Sequence, residues 1–241
     1  MNKILNTTIL TLGLLLSTLQ AANPISQAKA GGRGNNPVSQ KYLNQGSSNN
    51  PVSTDEAVPP VPITYQVGDY AQGGVVCYVD ETGQHGLVCS LIYLDANGSE
   101  DTSLAGLTWG IAGADTGATS PFGAENMLTI LGINPSLTLY PAFRACQSYR
   151  GGAFSDWFLP SQNTAHDGSG YNELNFIYSN LNIINNTLAI IIGAQALNSV
   201  GHHWSSFGVY TDGAYNQYFL NGNQTPSLKG NNFLVRAVRA F

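Results

Sequence analysis

The sequence predicts an α+β domain whose N- and C-terminal strands can pair in one antiparallel sheet. Three observations carry this: strand-like runs open the region after residue 64, stretches with helical spacing fill its middle, and a strand-like run closes the chain. Composition agrees. Of 241 residues only 10% are charged, while Gly (27) and Tyr (12) are plentiful, which argues against a coiled coil, a helical bundle or a charge-rich disordered tail.

Gly73–Val79 and Gly86–Ile92 are the opening strands, and Asp80-Glu81-Thr82-Gly83-Gln84-His85 between them is a glycine-containing turn, so the pair predicts a hairpin. A helix is expected near Ala124–Leu131. A second fits Pro141–Tyr149, where Ala142, Ala145, Cys146 and Tyr149 share one face, and a third fits Tyr171–Leu181 through Leu174, Ile177, Tyr178 and Leu181. These stripes predict core. So does the short apolar run Leu188–Ile192, which is too brief to span a bilayer. Tyr215–Leu220 running into Asn221-Gly222 predicts a strand and tight turn, and Phe233–Phe241 a terminal strand.

Two segments precede this domain. Residues 1–21 read as a secretory signal: Lys3, then the apolar Ile9–Leu16, then Ala21 as a small residue for cleavage. No Cys follows that would take a lipid anchor, so the mature protein is expected to be exported, secreted or surface-held (the periplasm being the other destination), and not membrane-spanning. Residues 22–64 are rich in Asn, Ser, Gly and Pro, and Asn35–Ser39 recurs as Asn49–Ser53. Two copies are too few for a solenoid, and so polar a stretch cannot offset the entropy of ordering; it predicts a flexible spacer ahead of a domain over 65–241. That domain holds five basic residues (Arg144, Arg150, Lys229, Arg236, Arg239) against twelve acidic ones, which makes nucleic acid an unsuitable partner.

Seven segments occur in a characteristic order: Gly68-Asp69-Tyr70 with Gly73-Gly74-Val75-Val76, Asp80–Cys89, Thr108-Trp109-Gly110, Gly151–Ser161, Asn172-Glu173-Leu174-Asn175, Trp204-Ser205-Ser206 and Val235–Phe241. Together they resemble the C-terminal domain of the Legionella collagen-like protein (Lcl) and its relatives across nearly all of 65–241. The resemblance implies a C-type-lectin-like fold with a loop-rich binding half, a homotrimer, and adhesion to host or matrix glycans, including sulfated glycosaminoglycans. This chain departs from that pattern in three ways. It has no Gly-X-Y stalk. Gln162–Tyr171 intervenes where Leu-Pro-Ser would run into the Glu-Leu helix start, breaking a capping box and adding a loop. Its acidic balance also suits polyanions poorly, unless the five basic residues cluster locally.

An exported chain with three cysteines predicts one disulfide and one spare thiol. Cys77 could face Cys89 across the hairpin; Cys89 with Cys146, the preferred pairing, would tie sheet to helix and stabilise by roughly 3–5 kcal/mol. Three buried thiols acting as small hydrophobes are the third possibility. His202 and His203 would point to opposite faces of a strand and so predict structural roles. Asp167–Glu173 lacks the alternating carboxylates of a calcium loop. Neither a metal nor a cofactor is expected. No nucleophile elbow, zinc-protease helix, P-loop or dinucleotide fingerprint is present, and the cysteines do not reproduce the arrangement of the formylglycine-generating type of enzyme on a related fold, so catalysis is not expected. The chain thus reads as an exported glycan-recognition domain, with a structural or protein-binding envelope module as the alternative. Sugar rings need flat apolar faces and polar groups for their hydroxyls; Tyr210, Tyr215, Asn216 and Tyr218, with the cations Arg144, Arg150 and Lys229, are the candidate ligand-binding residues.

Overall fold

The computed structural model describes residues 62–162 and 170–241. The expected signal over 1–21, residues 22–61 of the expected spacer and Asp167 of the segment compared with a calcium loop lie outside the described residues. The chain divides into two units, Met1–Val58 and Pro59–Phe241, and the second holds all the described residues.

Strands from both ends of this unit meet in one sheet. β1 (Tyr70–Ala71), β2 (Gly74–Val79), β3 (Gly86–Cys89) and, from the far end of the sequence, β9 (Val238–Ala240) pair antiparallel in that order. The β2–β3 turn forms as its residues dictate: Asp80 Oδ1 accepts from Thr82 N at 3.0 Å and Thr82 Oγ1 at 2.7 Å, and Gly83 takes φ +70°. The β3–β9 ladder is sealed by reciprocal bonds of 3.1 Å between Gly86 and Phe241. A Cβ on Gly86 would stand 2.1 Å from the Tyr78 carbonyl oxygen and 3.0 Å from the Phe241 ring. Gly86→Ala is therefore expected to cost about 1–3 kcal/mol by forcing β2 and β9 away from β3, measured as a lowered urea midpoint.

The helices follow the apolar spacing: α1 (Gly123–Ile133), α2 (Pro141–Ser148), α3 (Glu173–Ser179) and α4 (Leu181–Leu188). The expected third helix breaks at Asn180, whose side-chain amide donates to the Cys77 carbonyl at 3.2 Å and to the Phe176 carbonyl at 3.1 Å. Helix continues past the expected end at Leu181 as α4, where Leu181, Ile184 and Leu188 carry a helical spacing and the last two are buried. The run after it departs from expectation: Leu188 is core, but Ile190 and Ile192 are exposed, because α4 has ended and the chain turns outward there. Among the described residues no helix is long and apolar enough to cross a membrane.

The expected terminal strand is split. Asn232–Phe233 (β8) pairs with Leu107–Thr108 (β4), and Leu234–Ala237 then runs buried between elements, with the Val235 carbonyl accepting from Leu94 N and the Ala237 carbonyl from Ser90 N. The preferred Cys89–Cys146 disulfide is not formed: Cys77, Cys89 and Cys146 are all free and buried. Cys89 stands opposite Val75, a bulge displaces Cys77 from the ladder, and Cys146 lies on the core face of α2 beside Ala142 and Phe143. Burial raises the pKa of each thiol, so they remain neutral and pack as small apolar groups.

Candidate functional site

The second sheet is β5 (His202–Val209), β6 (Gly213–Tyr218) and β7 (Gln224–Leu228), antiparallel in that order. Its inner face anchors the domain through Trp204, whose indole N–H donates to the Leu107 carbonyl at 2.7 Å. At the far end, Tyr210-Thr211-Asp212 forms the β5–β6 tip. The signal was present in the sequence, since Thr-Asp-Gly after a β run marks a turn. Tyr210 takes φ +54° and is 80% exposed. The tip and the adjoining edge strand enclose an open groove of about 360 Å³ lined by Tyr210, Asp212, Pro226, Ser227 and Leu228, among others.

The groove is held from behind by the loop after Trp109. Asp212 Oδ1 accepts from Gly113 N at 2.7 Å. Lys229 Nζ donates to the Ala114 carbonyl at 2.8 Å and the Thr211 carbonyl at 2.9 Å, and sits 5.0 Å from the centre of the Trp109 ring. Lys229 is thus a buried tie between two loops and not a surface ligand group: its ammonium spends its hydrogens on carbonyls that the turn geometry leaves unpaired. Burial lowers its pKa, and Asp115 and Asp212 act against that.

Of the seven candidate residues, Tyr210 lines the groove and the others stand elsewhere. Tyr215 is half-buried, edge-on to Phe207. Asn216 is buried, donating to the Thr225 carbonyl and Ser227 Oγ and bonded through Oδ1 to His202 Nδ1 at 2.7 Å. Tyr218 stacks on His202 with ring centres 4.4 Å apart. Arg144 Nε donates to the Ala96 carbonyl, and Arg150 folds back onto the carbonyls of Gln147 and Tyr149 at the end of α2. The local basic cluster does not form either: Arg236 is buried with its guanidinium over the Tyr93 ring at 4.5 Å, and Arg239 pairs with Asp156. Sequence reasoning misses Thr211 and Asp212 although the turn signal is there, and Pro226, Ser227 and Leu228 escape it because an edge strand containing proline carries no chemical signature.

The two histidines diverge, as expected for neighbours on a strand. His202 lies half-buried between Tyr218 and Phe233. His203 is buried: Nδ1 faces the Gly201 carbonyl at 3.1 Å and can only donate to it, so Nε2 accepts from the Tyr93 hydroxyl at 2.8 Å. Burial, aided by Arg236, pushes its pKa down to about 3, and the ring is neutral. Among the described residues no group of three or more His, Cys, Asp or Glu converges as a metal site.

The Ser161–Glu173 pair remains assembled despite the intervening residues. Glu173 Oε2 accepts from Ser161 N at 2.7 Å and from Gly123 N, at the start of α1, at 2.9 Å, while Leu174 N donates back to the Ser161 carbonyl at 2.9 Å. Ser161 does not cap α3, as expected: Asn172 caps it, its Oδ1 accepting from Asn175 N at 3.0 Å, while Glu173 still clasps the two sides. Glu173 is 2% exposed, and burial pushes its pKa up to about 7.

No family profile matches the sequence, and no curated protein matches it. Among solved structures, a fimbrial protein from Bacteroides ovatus is similar with a TM-score of 0.37 and 13% identity, over 64% of this chain and 35% of that one. The chain therefore spans about a third of that protein's length.

Proposed function

We propose that the unit is a C-type-lectin-like, non-catalytic recognition module, exported to a cell or matrix surface, that binds glycans. The observation that carries this reading is the groove at the β5–β6 tip, where an exposed tyrosine ring and the apolar Pro226 and Leu228 stand beside Thr211, Asp212 and Ser227. A flat apolar face edged by hydroxyl and carboxylate groups matches the two kinds of surface a pyranose presents. The shared sheet of N- and C-terminal strands, with a loop-rich segment between, suits a lectin-like frame. The three thiols and His203 lie away from the groove and are buried, and reactive thiols need access and a lowered pKa. On a glycan array the mature chain is expected to retain at least one glycan at low salt; retention of none would sink the proposal.

Exposed Ile190 and Ile192 beyond α4 favour a second reading, a protein-binding envelope module. A defined protein partner whose binding survives Tyr210→Ala and is lost with Ile192→Asp would mark it.

A further inference from the structure

Resting on the glycan reading, we infer that the groove selects uncharged saccharides and turns away sulfated or carboxylated ones. The charges around it decide this. Asp212 is exposed at the groove, and only its Oδ1 is engaged, by Gly113 N; Oδ2 has no hydrogen-bond partner among the described residues. A free carboxylate oxygen accepts from sugar hydroxyls, which are donors, and repels sulfate or uronate oxygens, which are not.

The cation that would reverse this preference is turned away. Lys229 follows the groove residue Leu228 directly, yet it is fully buried and its Nζ is committed to the Ala114 and Thr211 carbonyls. Asp115 and Asp212 both act on that single ammonium, so this corner carries two carboxylates against one enclosed cation. The domain's other basic side chains offer no substitute. Arg236 is buried, Arg239 is paired with Asp156, and Arg144 and Arg150 are bonded to carbonyls around α2. Polyanion binding draws its affinity from several free cations and is steeply salt-dependent; this surface provides none at the groove.

What remains for affinity is contact between the C–H face of a sugar ring and Tyr210, with Leu228 and Pro226 beside it. Tyr210 is held out at φ +54°, a conformation that a non-glycine residue adopts at a cost. The ring stands 80% exposed there and lines the groove.

The test compares chitin-type and galactose oligomers with heparin oligomers, binding to the full mature chain at about 50 mM and about 500 mM salt. An uncharged oligomer is expected to bind with less than about twofold change between the two salts. Tyr210→Ala should weaken it by about tenfold or more, the loss of one ring contact, without lowering the thermal midpoint. Asp212→Asn should weaken the uncharged oligomer and raise heparin binding. Heparin binding that collapses with salt, with no binding of uncharged oligomers, overturns the selectivity and leaves the glycan reading standing. Uncharged binding indifferent to Tyr210→Ala overturns the groove assignment. Failure of every oligomer overturns the glycan reading itself.

Discussion

Replacing Trp109 with alanine is expected to lower the unfolding free energy by about 4 kcal/mol or more, the upper range for deleting a large buried aromatic. Trp109 is fully buried, edge-on to Phe143 at 4.9 Å and to Tyr140 at 5.9 Å, and its indole N–H donates to the Ser205 carbonyl at 2.8 Å. Its removal opens a cavity, orphans that carbonyl, and takes away the ring beneath the Lys229 ammonium. Trp109→Phe keeps most of the packing and loses the hydrogen bond, so about 1–3 kcal/mol is expected. Urea unfolding followed by the fluorescence of Trp157 and Trp204 measures both. A Trp109→Ala variant within about 1 kcal/mol of the parent would contradict this packing.

Glu173→Ala is expected to cost about 3–5 kcal/mol, because two buried donors, Gly123 N and Ser161 N, lose their shared acceptor and each orphaned group costs about 1–3 kcal/mol. Its titration gives a sharper test. Glu173 rises from 4.5 to about 7 in the folded state, so the native chain holds a proton that the unfolded chain releases, and stability from this group falls as pH rises from 4.5 to 7. His203 falls from 6.5 to about 3; here the unfolded chain binds the extra proton, and stability rises with pH from 3 to 6.5. Between pH 4.5 and 6.5 the two slopes oppose each other, and the parent should be nearly flat. Asp80 and Asp101, held below the usual carboxylate value by their hydrogen bonds, titrate under that window. Glu173→Gln removes one slope, so its stability should climb by up to about 1.4 kcal/mol per pH unit between about 4.5 and 6.5. His203→Phe should show the opposite trend up to about pH 7. Urea midpoints at three pH values check both, and parallel profiles for parent and Glu173→Gln would refute the assignment.

The parts of this fold that could be read in the chain are those set by near neighbours. The Asp80–His85 turn, the Asn221-Gly222 turn and the core faces of α2 and α3 follow from local spacing and turn chemistry. The parts that could not be read depend on partners far away in sequence. Asn180 ends α3 because a carbonyl of β2 is within reach. The terminal strand divides because β4 claims one end and β3 the other. At the candidate site, Tyr210 was legible only as one aromatic among several interleaved with polar residues. Lys229 was not legible as a buried residue: its carbonyl acceptors come from 18 and 115 positions away, and no charge count reveals which way an ammonium points. The cysteines misled for a related reason. An export signal makes a bond chemically permissible, but only relative placement makes it possible.

The clasp joining Ser161 to Glu173 and Leu174 has a practical corollary. Ser161 and the start of α3 are joined directly by bonds of 2.7 and 2.9 Å, so the two positions stay together whatever the length of sequence that connects them. Lengthening a tethered segment twofold adds only about 0.6 kcal/mol of closure entropy. A short peptide inserted in the sequence between Gln162 and Tyr171 is therefore expected to leave the urea midpoint close to the parent's, which makes this position a handle for labelling the protein.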